Sequence, residues 1–218
     1  MAVRKILTLD HPVLRAKAKK VSRFDAHIEK LVSDMWETMR SAEGVGLAGP
    51  QIGESLRVLV AEYKDEHVAL INPEILKRSD EILLGTEGCL SIPGFVGEDV
   101  PRSAAVTVKG RDPKGKEIRV KAEGWFARVL QHEIDHLDGI LFIDRIPKEQ
   151  VREVQPDEIA DEAEVRTQQV TQTVAGPSVP LRRNGIPGAT VGARPPSPRR
   201  TGAGGEVPSA SAGKVGGA

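Results

Sequence analysis

The residues best equipped for chemistry are gathered in Gln131-His132-Glu133-Ile134-Asp135-His136-Leu137. On an α-helix each residue turns about 100° around the axis, so His132 and His136 lie roughly 40° apart, with Glu133 inside an arc of about 100°. Two imidazoles and a carboxylate therefore face one small volume from a rigid support. Histidines at i and i+4 form a metal-binding pair, and a glutamate directly after the first is placed to act as base on a water held by the metal. The plain alternative is a helix with two half-buried histidines and a surface glutamate. Against it, the chain spends two of its only five histidines here.

Two ligands do not complete a catalytic site, which takes three protein ligands and keeps an open position. One large group of zinc peptidases extends this motif with Gly at the eighth position and His at the eleventh. Gly139 holds the eighth place, but Phe142 stands in the eleventh and no histidine follows His136. Another group takes a glutamate from a downstream helix, for which Glu149, Glu153, Glu158 and Glu162 are available. The single cysteine, Cys89, lies upstream in Glu87-Gly88-Cys89-Leu90-Ser91-Ile92-Pro93-Gly94, where a glycine and a Pro-Gly turn give the backbone unusual freedom. A lone cysteine is more often a small buried hydrophobe. A site short of one ligand shifts that balance and favours Cys89 with His132 and His136 as the metal set.

The elements that must position these groups can be read from apolar periodicity. The metal-binding run is expected on a helix over residues 123–137. A second helix is predicted over 25–43, where Ile28, Leu31, Val32, Met35 and Met39 recur at helical spacing, with Asp25 as N-cap and Gly44 as stop. It should cover the core, with His27 facing solvent. Residues 10–15 read as a turn and a short extended or helical piece. Gly44-Val45-Gly46-Leu47-Ala48-Gly49-Pro50-Gln51 fits neither a regular helix nor a strand, and its glycines permit close backbone approach to another group. No Lys with Ser or Thr comes after them, which excludes a phosphate loop. Strands are expected over 56–62 and 67–71 around a polar turn at Lys64 and Asp65, with His67 at a strand edge and Asn72-Pro73 breaking the second strand. A further strand is expected over 74–84, then a hairpin of 105–109 with 117–122 around Asp112-Pro113-Lys114-Gly115. The fold class is α+β: antiparallel strands around a central metal-binding helix, with an N-terminal covering helix.

With 218 residues, 39% of them hydrophobic, the chain can bury one good core or two small domains. A net charge of +0 gives no bulk attraction to nucleic acid or membrane. One cysteine excludes an intrachain disulfide framework. Residues 1–20 alternate apolar and charged side chains, unlike a signal peptide, and no apolar run is long enough to span a bilayer. The cytoplasm is the expected compartment. Composition divides the chain into a catalytic domain over 1–150, an acidic polar linker over 151–175, and a mildly basic tail over 176–218. The tail is rich in Gly, Pro, Ser and Arg and is expected to stay disordered.

In its motifs the chain resembles the peptide deformylases. The glycine run from Gly44 to Gln51 matches the first motif of that family, Glu87-Gly88-Cys89-Leu90-Ser91 the second, and Gln131-His132-Glu133-Ile134-Asp135-His136-Leu137-Asp138-Gly139 the third, in the family's order. The likeness covers residues 1–147. Gly49 is a departure, since the family usually has Ala there, and the missing Cβ is expected to loosen the loop slightly. The resemblance implies a hydrolase of protein biosynthesis that removes the N-formyl group from the N-terminal formyl-methionine of new polypeptides, releasing formate. It implies that Cys89, His132 and His136 hold one divalent ion, commonly Fe(II), with Zn(II) or another divalent ion as the alternative. Water on that ion would attack the formyl carbon, with Glu133 as general base and then acid. The Gln51 side-chain amide and the Leu90 backbone N–H would stabilise the oxyanion. Gly46 would let the backbone pair with substrate like a strand, and Val45, Leu47 and Leu90 would wall the methionine side chain. A Glu87–Arg102 pair is expected to steady the Cys89 segment, while Asp135 either orients a histidine ligand or faces solvent.

The expected partners are N-formyl-methionyl nascent peptides. Weak attraction of the tail to ribosomal RNA stands beside the simpler reading of an inert extension, and neither a membrane nor a specific nucleic-acid sequence is expected. Two rivals remain open: a zinc peptidase using a downstream glutamate, and a non-catalytic metal-stabilised binding module. The latter has no use for Glu133 or Gln51.

Overall fold

In the computed structural model, which describes residues 2–154, the apolar spacing over 25–43 becomes helix α1, Ala26–Ser41. Asp25 caps it by accepting from the His27 N–H. The helix stops sooner than Gly44, because Glu43 takes a left-handed φ of 54° and the Gly44 N–H turns back to the Met39 carbonyl. Its buried stripe of Ile28, Leu31, Val32, Met35 and Met39 packs on one face of the sheet.

The strands, in chain order, are β1 (Gly46–Ala48), β2 (Val58–Tyr63), β3 (Glu66–Arg78), β4 (Ile82–Gly88), β5 (Phe95–Ser103), β6 (Ala105–Arg111), β7 (Glu117–Glu123) and β8 (Val151–Glu153). Helix α2, Gly124–Leu137, lies between β7 and β8 in sequence. One antiparallel sheet has the order β1-β2-β3-β6-β7 and a second has β4-β5-β8. The chain is α+β. Side chains of β2 alternate between two cores: Val58 and Val60 pack with α1, while Leu59 and Ala61 pack with α2. A strand buried on both faces reads as the unbroken apolar run Val58-Leu59-Val60-Ala61. On its other side α2 meets β5. The helix therefore lies between the two sheets, buried from Phe126 to Leu137.

Several boundaries differ from the sequence expectation. The glycine run, expected to be irregular, supplies β1 and a 3-10 turn at Gly49–Ile52. Nor does Gly49 loosen the loop: a Cβ there would lie 2.8 Å from the carbonyl oxygens of Glu54 and Leu56, so the chain closes directly over the glycine. Asn72-Pro73 does not end its strand. The β3–β6 register shifts between Ile71 and Glu74, and this bulge absorbs the two residues before pairing resumes. The strand expected over 74–84 is instead the end of β3 and the start of β4, which pair with different partners. Strand β5 leaves no strand signal in the sequence, since Gly97, Pro101 and the charged Glu98, Asp99 and Arg102 hide any alternation. Residues 151–153, expected in the linker, pair as β8 with β5, and Val154 is 3% exposed. Residues 10–15 hold the 3-10 turn Pro12–Arg15. The expectations for 155–218, including the tail, lie outside the described residues.

At the β3 bulge Asn72 has a φ of 53°, and its side chain accepts from the Val21 N–H at 2.9 Å and donates to the Val21 carbonyl at 2.8 Å. Asparagine tolerates that backbone region where most residues are strained. Asn72→Ala should lose about 2–3 kcal/mol of stability in urea unfolding, from two hydrogen bonds of about 1 kcal/mol each plus backbone strain. Asn72→Gly, which removes only the bonds, should lose less. Equal losses would show that the backbone conformation carries no cost.

Candidate metal centre

Helix α2 brings His132, Glu133 and His136 to one side, and the end of β4 brings Cys89 over them. The Cys89 Sγ lies 3.2 Å from His136 Nε2. Among the described residues Cys89, His132 and His136 form the one cluster of His, Cys and acidic groups fit to hold an ion, their ligand atoms all within 4.8 Å of one another. Glu149 and Glu153 are not part of it, and Glu158 and Glu162 lie outside the described residues. One sulfur and two imidazole nitrogens within that span suit a divalent ion. The donors are also oriented for one: His132 turns its Nδ1 to Glu87 at 2.9 Å, which leaves Nε2 toward the thiol. Phe142, in the place a third histidine would take, stacks near His132 with ring centroids 6.4 Å apart and planes 21° from parallel.

The charges around this cluster are strongly coupled. Burial disfavours the His132 cation, but hydrogen bonds and charge from Cys89 and Glu87 outweigh it and raise the His132 pKa well above the ordinary value. Burial, helped by the His132 charge, pushes His136 well below its ordinary value. Glu133 is 4% exposed, and its buried Oε2 has no hydrogen-bond partner among the described residues. Burial raises the Glu133 carboxyl to about 7, with the His132 charge pulling the other way. An ion among the three ligands would pull in that same downward direction, since any nearby cation favours the carboxylate. Its Oε1 lies against β1, where a Cβ on Gly46 would come within 2.3 Å of it.

The other expected site residues are distributed unevenly. The Gln51 Oε1 accepts from the Ala48 N–H at 2.8 Å, and its Nε2 faces Ser91 Oγ at 3.2 Å and Cys89 Sγ at 3.7 Å. The Leu90 N–H makes no hydrogen bond among the described residues. Val45 is 43% exposed, whereas Leu47 has no exposed surface and packs in the α1 core with Met35 and Met39. Leu47 therefore cannot wall an accessible pocket, because strand alternation turns it to the face opposite its neighbours.

Behind the cluster, Arg102 grips Glu87 with Nε and Nη2, both at 2.8 Å. Asp135 neither orients a histidine nor faces solvent; it is buried and pairs with Arg102 and Arg145. Two further members carry little signal in the sequence. Arg128 donates to Glu87 Oε1 at 2.8 Å, and Arg145 closes on Asp135. The available signal for Arg128 was its place one helical turn before His132, on an otherwise apolar stretch. Burial alone would raise the Glu87 pKa, but the bonds from Arg102 and His132 hold it well below the carboxylate range.

Two substitutions probe these contacts. Gly46→Ala should displace the Glu133 carboxylate, lowering turnover about 100-fold, the scale of a 1 Å misplacement, while bound metal stays stoichiometric. Loss of the metal as well would mean that the glycine shapes the ligand cluster. Glu87→Gln should cost about 3–5 kcal/mol at neutral pH by leaving buried cations unmatched. A depressed folded-state pKa contributes stability above the unfolded value near ~4.3 and loses it as pH falls toward the folded one. The gap between wild type and Glu87→Gln should thus narrow below about pH 4 in denaturant titrations; a pH-independent gap would refute the coupling.

Residues 3–152 match a family profile described as polypeptide deformylase. The sequence is 49% identical over 176 residues to a peptide deformylase of Thermomicrobium roseum, an alignment covering 77% of this chain and 99% of that protein. Against one from Natranaerobius thermophilus it is 56% identical over 146 residues, 66% of this chain and 93% of that one. The fold is similar to the crystal structure of peptide deformylase from Thermotoga maritima, with a TM-score of 0.65 at 44% identity, covering 67% of this chain and 99% of that one. A Synechococcus elongatus peptide deformylase in complex with actinonin gives 0.64 at 36% identity, over 75% of this chain and 86% of that one.

Proposed function

This chain belongs to the polypeptide deformylase family, and on that premise we propose how its own residues carry out the reaction. It is a metal-dependent hydrolase of protein biosynthesis that removes the formyl group from the N-terminal formyl-methionine of nascent polypeptides and releases formate. The observation that carries the residue assignment is the convergence of Cys89, His132 and His136 beside a buried carboxylate oxygen of Glu133 that lacks a partner.

Cys89, after the end of β4, and His132 and His136, on the helix between the two sheets, are the ligands of one divalent ion. The ion is Fe(II), with Zn(II) as the alternative that the sulfur and nitrogen donors also accept. When bound, it supplies a Lewis acid that makes water nucleophilic near neutral pH and polarises the formyl oxygen. Glu133 takes the proton of the attacking water and delivers it to the amine nitrogen as the C–N bond breaks. The oxyanion that forms at the carbonyl lies toward the Gln51 Nε2 amide and the Leu90 N–H. Support comes from the Gln51 amide being aimed at Cys89 by the Ala48 bond and from the Leu90 N–H being uncommitted. Donors of this kind are each worth roughly 3 kcal/mol of barrier. Gly46 admits the substrate backbone, with Val45 and Leu90 against the methionine side chain. Glu87 and Arg102 hold His132 and the Cys89 segment in place. Among the described residues no helix is long and apolar enough to cross a membrane. The enzyme works in the cytoplasm where new chains emerge, and the basic tail adds a weak attraction to ribosomal RNA.

Formate release from formyl-Met-Ala-Ser by anaerobically purified protein tests the assignment. Glu133→Ala should keep its metal and lose about 10²–10⁴-fold in turnover, the usual worth of a general base. Cys89→Ala should lose metal and activity together; retention of both would return the third ligand to a downstream glutamate.

A further inference from the structure

We infer that Arg128 is a positioning residue of this reaction, setting the register of the Cys89 strand against the helix that carries His132 and His136. The inference rests on the metal set proposed above. Arg128 lies on α2 one turn before His132 and is buried. Its Nη1 donates to Glu87 Oε1 at 2.8 Å and to the Val100 carbonyl at 2.8 Å, with a longer contact to the Gly85 carbonyl at 3.4 Å. Its Nη2 donates to the Leu83 carbonyl at 2.7 Å. One side chain of α2 thus holds the backbone of both β4 and β5 as well as the carboxylate that orients His132.

The place where it does so is the weak point of the pairing. Gly85 is paired with Val100, and immediately afterwards the β4–β5 register shifts before Glu87 pairs with Gly97. A bulge leaves an extra residue without a ladder partner, so the ladder's hydrogen bonds do not by themselves fix the register on its far side. A slip of one residue would turn every side chain past the bulge to the opposite face. Glu87 and Cys89 both lie past it. The guanidinium takes the Gly85 and Val100 carbonyls at the last matched pair and the Glu87 carboxylate just after the shift, bridging the irregularity. The path closes on itself: Arg128 to Glu87 Oε1, Glu87 Oε2 to His132 Nδ1 at 2.9 Å, and His132 back along one helical turn to Arg128. Gly85 belongs to the same device. A Cβ there would lie 3.0 Å from Arg128 Nη2, 3.1 Å from Cζ and 3.3 Å from Nε, so an alanine would push the fork off its present seat by a few tenths of an ångström.

The test uses full-length protein loaded with Co(II), whose ligand-field and thiolate charge-transfer bands report the geometry of the ligands directly. Wild type is compared with Arg128→Met, Arg128→Lys and Gly85→Ala, and with Asn72→Ala as a variant destabilised far from the cluster. Arg128→Met and Gly85→Ala should shift the ligand-field bands, weaken Co(II) binding about 10–100-fold, the usual effect of removing a group behind a ligand, and lower kcat more than KM. Arg128→Lys, which keeps the charge without the fork, should recover part of each. Asn72→Ala should lower the melting temperature while leaving spectrum and affinity unchanged. If Arg128→Met does not fold, Gly85→Ala decides alone. Wild-type spectrum and affinity in Gly85→Ala, or in a folded Arg128→Met, would overturn the inference. A charge-transfer band that persists in Cys89→Ala would instead overturn the metal set, and a wild type that binds Co(II) through sulfur without releasing formate would overturn the reaction while leaving the positioning role readable in the spectra.

Discussion

The Glu87 carboxylate sits out of water and stays charged, and much of the surrounding structure exists to make that tolerable. A buried charge is stable only when it is paired and its lone pairs are taken up by donors. Arg102, Arg128 and His132 supply those donors from three directions. They come from two elements, Arg102 from β5 and both Arg128 and His132 from α2, with Glu87 itself near the end of β4. Satisfying one anion therefore docks the smaller sheet onto the helix. It also fixes which imidazole nitrogen of His132 is left to face Cys89.

Helix α2 is held with matching care along its length. Its first N–H, at Gly124, goes to the Ala104 carbonyl, and at its end Arg57 donates to the Leu137 carbonyl and to Asp138. A cation there also complements the negative end of the helix dipole. Between these ends Leu130, Ile134 and Leu137 are buried against the larger sheet. His132 and His136 thus ride on an element with little freedom to rotate, while Cys89 reaches them from the other sheet. The chemistry is divided between a rigid helix and a strand end whose position must be set separately.

How much of this was legible depended on the period of the pattern. Both helices were readable because their apolar positions recur over several turns, and α2 starts within one residue of where the sequence suggested. The grouping of Cys89 with His132 and His136 was readable because these residue types are rare in this chain. The Glu87–Arg102 pair can be anticipated, but the buried pairing of Asp135 and the part played by Arg128 cannot, since a charged residue on a helix ordinarily faces water and only tertiary burial makes these exceptions. Strand β3 looks shorter in the sequence than it is, because Asn-Pro ordinarily ends a strand, whereas here the Asn72 side chain and a bulge carry the pairing through. Strand β5 carries no alternating pattern at all. Its inward residues include Gly97 and Arg102, chosen for a ring contact and an ion pair rather than for hydrophobicity.

The ion cluster behind the site has a thermal consequence. The hydration of charged groups grows less favourable as temperature rises, so the cost of keeping Glu87, Arg102, Arg128, Asp135 and Arg145 from water falls on heating, while the gain from apolar burial levels off. Warming thus raises the share of cohesion that ions supply where the smaller sheet meets α2, relative to the share supplied by the apolar face between α1 and the larger sheet. The balance between the two sides therefore shifts on heating, toward the side where Cys89, His132 and His136 lie.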